Sequence, residues 1–143
     1  MFEERGVISF SSSSSLTIIY YLKIRRLCKL FTHEKFEAYR IAIEFTDIAL
    51  QLMDDLPSGH AALRDQFKRA AFSVPLNIAE GTGKNSQSDR KRFYAIARGS
   101  AMECAAVCDI IALLDKKFAG KTEIGKQKLK SVVGILSTVC VGR

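Results

Sequence analysis

The sequence predicts an all-α fold, an antiparallel up-down four-helix bundle, and three observations carry that expectation. Hydrophobic residues make up 48% of the 143 and charged residues 26%, a globular balance that excludes wholesale disorder. Two prolines and nine glycines supply too few breakers for a many-stranded sandwich, which needs a turn every ~8–12 residues. Beyond residue 33, four segments repeat apolar residues at intervals of three and four, the period of one helix face. The length suits one core and one domain, assigned to residues 34–143.

The first helix is expected from about Glu34 to Leu56, with the stripe Ala38, Ile41, Phe45, Ile48, Leu52; Pro57-Ser58-Gly59 stops it. The second is expected from about Ala61 to Glu80, on Leu63, Phe67, Ala70, Val74, Ile78. Pro75 sits inside it, removes a backbone donor and crowds the Ala71 carbonyl. A kink or a lost bond is expected there, with the Ser73 hydroxyl available to a freed carbonyl. The third helix is expected from about Gln87 to Phe118, started by Ser86 or Ser88 and ended by Gly120. Its seam Phe93, Ala97, Ser100, Cys104, Val107, Ile111, Leu114, Phe118 holds a 3.5-residue period, which predicts left-handed supercoiled packing over about 45–50 Å. The small residues Ala97, Ser100 and Ala101 admit a close neighbour. The fourth, from about Thr122 to Val141, is carried by Leu129, Val132, Leu136 and Val139. Short connections make the antiparallel bundle the economical arrangement.

Residues 1–33 differ in kind. Ser11 to Ser15 precede an apolar run, Leu16 to Leu22, and then the basic Lys23, Arg25, Arg26 and Lys29. Three readings stay open: a weakly ordered extension, an interfacial amphipathic helix over Leu16 to Phe31, and an export signal. The last fits badly because Glu3 and Glu4 stand where positive charge belongs. The uncharged stretch Gly6 to Leu22 is at the lower limit for a membrane span and contains five serines, so no span is expected. A chain lacking Met1 to Phe31 is expected to fold.

The chemistry expected is sparse. The four cysteines, Cys28, Cys104, Cys108 and Cys140, form no C-x-x-C pair and read as reduced, packed thiols of a cytoplasmic protein. Only His33 and His60 are present, too few for zinc clustering or for the E-x-x-H pairs of a di-iron bundle. Gly81-x-Gly83 follows a helix and lacks a G-K-[ST] end. No nucleophile stands beside a base. The expectation is a protein that is not an enzyme and takes no cofactor and no metal.

The net charge of +7 is the better lead. Lys84 to Arg98, with Lys84, Arg90, Lys91 and Arg92, carries +4; Lys116 to Lys130, with Lys126, Lys128 and Lys130, carries +5. Such patches suit nucleic-acid phosphates or an acidic protein, or are simply a solvated surface. The second helix also carries a polar stripe, Gln66, Arg69, Ser73, Asn77 and Glu80. A structural hydrogen-bond network joining Ser100 and Glu103, a wet face and a ligand site are its three readings. In the first, Arg69 pairs with Glu103 or Glu80 and Asn77 bonds backbone near Pro75.

Two blocks then carry a family resemblance. Gln66-x-x-Arg69-Ala70-Ala71-x-Ser73-Val74-Pro75-x-Asn77-Ile78-Ala79-Glu80-Gly81, and Asp89-x-x-x-Phe93-x-x-x-Ala97-x-Gly99-Ser100-x-x-Glu103, resemble the second- and third-helix signatures of the four helix bundle proteins related to the 23S rRNA-intervening sequence proteins of bacteria. Phe36 to Ile48 resembles their first helix; residues 1–33 fall outside the likeness, which points to a start placed too far upstream. The resemblance implies an up-down bundle, a homo-oligomer in the form of a pentameric ring, no catalytic residues, and association with RNA or other nucleic acid. A similar bundle serves as the accessory protein of diversity-generating retroelements, which implies a reverse transcriptase or another protein as an alternative partner.

Overall fold

The apolar stripes meet one another in the computed structural model, which describes residues 31–141. Helix α1 spans Glu37–Asp55, α2 Ala61–Thr82, α3 Gln87–Leu114 and α4 Ala119–Val141. One-turn 3-10 segments, Thr32–Lys35 and Lys116–Phe118, precede α1 and α4. Each helix packs on its sequence neighbours and α4 closes on α1, so the described residues form an all-α bundle of four. The start of α1, the end of α2, the start of α3 and the end of α4 share one end. No helix among the described residues is long and apolar enough to cross a membrane. The readings of residues 1–30, the serine run, the apolar and basic stretch and Cys28 among them, lie outside the described residues.

The core is the union of the four stripes. Phe45, Leu52, Phe67, Val74, Ile78, Ile111, Leu129, Val132 and Leu136 are fully or almost fully buried. Phe45 and Phe67 meet edge-on at its centre, ring centroids 6.2 Å apart, a geometry the ring quadrupoles favour. On α1 the deepest line runs Ala38, Ala42, Phe45, Ala49, Leu52, while Ile41 and Ile48 pack at its margin. On α3 the buried line starts at Tyr94 rather than Phe93, which is half-buried.

Three boundaries depart from expectation. Phe36 is extended between the 3-10 turn and α1, so the first helix starts at Glu37 instead of Glu34. The third helix ends at Leu114, not Phe118. Asp115 is extended, and its Oδ1 accepts from the Lys117 amide at 3.0 Å; a short carboxylate bonding its own backbone competes with helix continuation. Its 28 residues make a rod of about 42 Å. Phe118 still reaches the core from the 3-10 turn. Gly120 does not end a helix; it lies in the first turn of α4.

Local chemistry explains the remaining ends. Ser86 caps α3, its Oγ accepting from the Asp89 amide at 3.1 Å, as an N-cap serine should. Gly59 takes φ 99° in the turn between α1 and α2, a conformation that favours glycine. Arg64 then reaches back from α2, Nε to the Met53 carbonyl at 2.9 Å and Nη2 to that of Leu56 at 2.8 Å. It thereby satisfies carbonyls that the end of α1 leaves without helical partners. Pro75 is buried inside a continuous α2.

Candidate nucleic-acid interface

Cations collect where α2 turns into α3. Gly81 to Gly83 close α2 and Ser86 opens α3, so Lys84, Arg90, Lys91 and Arg92 fall within a few residues of one bundle end. The Lys84 ammonium lies 3.1 Å from Glu80 Oε1 and 4.7 Å from the centroid of the Phe93 ring. The Arg92 guanidinium sits 5.5 Å from the same centroid. One aromatic ring thus borders two cations at a partly exposed site, each contact worth about 0.5–1 kcal/mol. Arg90 Nη2 donates to the Lys84 carbonyl at 3.0 Å, and the Lys91 carbonyl accepts a weak bond from Cys140 Sγ at 3.7 Å.

The second basic stretch is different. Lys121 reaches Asp55 at 2.7 Å, Lys126 reaches Asp109 at 2.5 Å and Lys128 reaches Glu44 at 2.6 Å. The bond from Asp109 raises the Lys126 pKa and keeps that ammonium charged. Lys117 pairs with Asp115 at 3.8 Å, so four of the six lysines between Lys116 and Lys130 are matched by carboxylates, and the +5 counted along the chain is not a free positive rim. Lys130 is exposed and makes no ion pair among the described residues. The first basic stretch lies at the end of the bundle where α3 begins, and the second runs from the opposite end to the middle of α4.

The polar stripe of α2 faces α3 along its edge. Ser73 and Ser100 join hydroxyls at 2.8 Å, and Asn77 Nδ2 donates to the Ser73 carbonyl at 2.8 Å and to Ser73 Oγ at 3.0 Å. The Ser73 hydroxyl thus spans two helices rather than turning back to a carbonyl freed by Pro75. Arg69 does not reach Glu103 or Glu80. It donates to Gln66 Oε1, and Gln66 Nε2 donates to Glu103; glutamine relays between the charges, and Glu80 pairs with Lys84. Arg69 and Glu103 are both exposed, so water solvates each when the other is removed. Arg69→Ala and Glu103→Ala are each expected to cost under ~1 kcal/mol, well short of the loss that a buried pair would show. Thermal melts of the two variants check this, and a loss of several kcal/mol from either would restore the buried reading.

Two features escaped the sequence reading. The outward side of α3 carries a second small and apolar line, Ala95, Gly99, Met102, Ala106, Ile110 and Leu113, all exposed, Leu113 to 86%. Its spacing of four and three was hidden because the stronger inner seam shares the same helix. The thiols are also more withdrawn than composition shows. Burial raises the Cys104 pKa and pushes that of Cys108 up to about 12, so both stay protonated and neither is a nucleophile. Among the described residues no group of three or more His, Cys, Asp or Glu is placed to hold a metal.

A family model described as 23S rRNA-intervening sequence protein covers residues 34–138 of the chain. No curated protein matches it.

Proposed function

This chain belongs to the 23S rRNA-intervening sequence protein family, and from that premise we propose that it is a non-enzymatic, cytoplasmic, oligomeric bundle that associates with structured RNA. The observation that carries the reading is the basic end, where Arg90 and Arg92 flank Lys84 on the first turns of α3. The positive end of the helix dipole adds to their field, and phosphate is the ligand such a field draws. The family's name supports RNA as the source of that phosphate. Self-association rests on the outward line of α3, where Gly99 and Ala106 allow close approach between apolar neighbours. That same line favours the second reading, a scaffold for a protein partner such as a reverse transcriptase.

Neutralising Arg90, Lys91 and Arg92 together is expected to weaken RNA binding and to flatten the slope of log affinity against log salt by up to about three contacts' worth. The helical signal and melting temperature should hardly change. Unchanged affinity at low salt removes the basic end from the function. Wild-type protein that sediments as an oligomer without binding RNA favours the scaffold.

A further inference from the structure

Beside the basic end lies a shallow cavity, open to solvent, of about 290 Å³, lined by Thr32, Lys35, Phe36, Thr82, Arg90 and Tyr94. It approaches the lower bound of ligand sites, ~300 Å³. No carboxylate lines it, and two cations do. Arg90 is fixed there by its bond to the Lys84 carbonyl and keeps further N–H groups to offer. Lys35 makes no ion pair or hydrogen bond among the described residues. The Thr82 hydroxyl donates to the Ala79 carbonyl at 2.7 Å, leaving its oxygen as an acceptor.

Tyr94 is the observation that points to a ligand. It is only 4% exposed, yet its hydroxyl has no hydrogen-bond partner among the described residues. Among the described residues no buried side-chain oxygen or nitrogen is both sealed from solvent and unpaired, so this hydroxyl meets solvent, and Tyr94 does so where it lines the cavity. Its ring is held against Gly81 and, tilted at 5.5 Å, against Phe36. Burial raises its pKa, with Arg90 opposing, so the phenol remains a donor at neutral pH. A hydroxyl that meets solvent at the cavity wall and has no protein partner is free to donate to an acceptor bound there.

We propose that this cavity binds one nucleotide bearing a terminal phosphate, with Lys35, Arg90 and the Tyr94 hydroxyl around the phosphate and the Phe36–Tyr94 ring pair beside the base. A phosphomonoester carries about −1.5 to −2 charge at neutral pH, which matches two cations and a neutral donor better than a singly charged diester does. The nucleotide is either the phosphorylated end of an RNA or a free nucleoside monophosphate. The first source rests on the RNA reading above; the second does not.

The test uses the full chain and a short single-stranded RNA in three forms, with a 5′-phosphate, a 3′-phosphate or hydroxyls at both ends, at one salt concentration. Adenosine monophosphate is titrated separately by calorimetry. One phosphorylated form is expected to bind about tenfold tighter than the hydroxyl form, the size of a hydrogen bond to a charged group. Lys35→Gln and Tyr94→Phe should each abolish most of that preference. Because Tyr94→Phe deletes an unpartnered hydroxyl, its melting temperature without ligand should hold or rise, which separates lost recognition from lost fold. Equal affinity for all three RNAs, with no binding of the monophosphate, overturns the cavity's role and leaves the basic end intact. If no RNA binds but the monophosphate does, in a Lys35-dependent way, the cavity stands with the free nucleotide as its ligand and the RNA reading falls. If neither binds, both fall.

Discussion

Phe67→Ala is expected to cost about 3–5 kcal/mol, the range for truncating a buried phenylalanine. The ring is fully buried and meets Phe45 edge-on, so the variant loses both the transfer of the ring from water and a paired aromatic contact. Helices on both sides are held by their own neighbours, so the space cannot close by collapse. Against a typical stability of ~5–15 kcal/mol this brings the bundle close to unfolding. Urea denaturation measures it; a midpoint shift equivalent to under ~1 kcal/mol would mean that the centre of the bundle is loosely packed.

Gly81→Ala should show the second large effect, for the opposite reason. A Cβ at Gly81 would lie 2.6 Å from Tyr94 Cε1, 2.8 Å from Cδ1 and 3.3 Å from Phe93 Cβ. The obstructing ring is buried and already leans on Phe36, so it has little room to retreat, and α2 must move away from α3. Overfilling of this kind costs about 1–3 kcal/mol. Gly134, inside α4, has nothing within 4 Å of its added Cβ. Gly134→Ala is the matched control and should gain up to about 1 kcal/mol from helix propensity alone. Equal and small effects at both positions would show that α2 and α3 are not in close contact at Gly81.

The four helices and most of their core faces were legible because a period of three and four residues survives any reading of a single chain. The Pro57–Gly59 stop and the Ser86 cap were legible for the same reason: their chemistry is local. What was lost is what depends on a partner helix. Alanine is ambivalent between core and surface, so Ala42 and Ala49 did not stand out from Ile41 and Ile48, although they lie deeper. Asp115 ends α3 through one bond to the Lys117 amide, a detail no periodicity carries. Arg64 gave no sign of serving α1 from across a turn. Charge summed along residues 116–130 overstated the basic character there, since Asp55, Asp109 and Glu44 come from other helices. Tyr94 was passed over for its neighbour Phe93 because only packing shows which of two adjacent aromatics turns inward.

The lysines of α4 have a consequence for which of two mirror-related ways round the chain winds. An up-down bundle of this connectivity can turn to the left or to the right with the same helix neighbours and nearly the same apolar burial. The two forms differ in which flank of each helix meets which neighbour. Lys126 and Lys128, two residues apart, project from opposite flanks of α4, one to Asp109 on α3 and the other to Glu44 on α1. In the form of opposite hand Lys126 would be carried toward α1 and Lys128 toward α3, and both pairs would break together. Exposed ion pairs add little to stability, but here they act as a chiral label, making two otherwise near-degenerate topologies unequal.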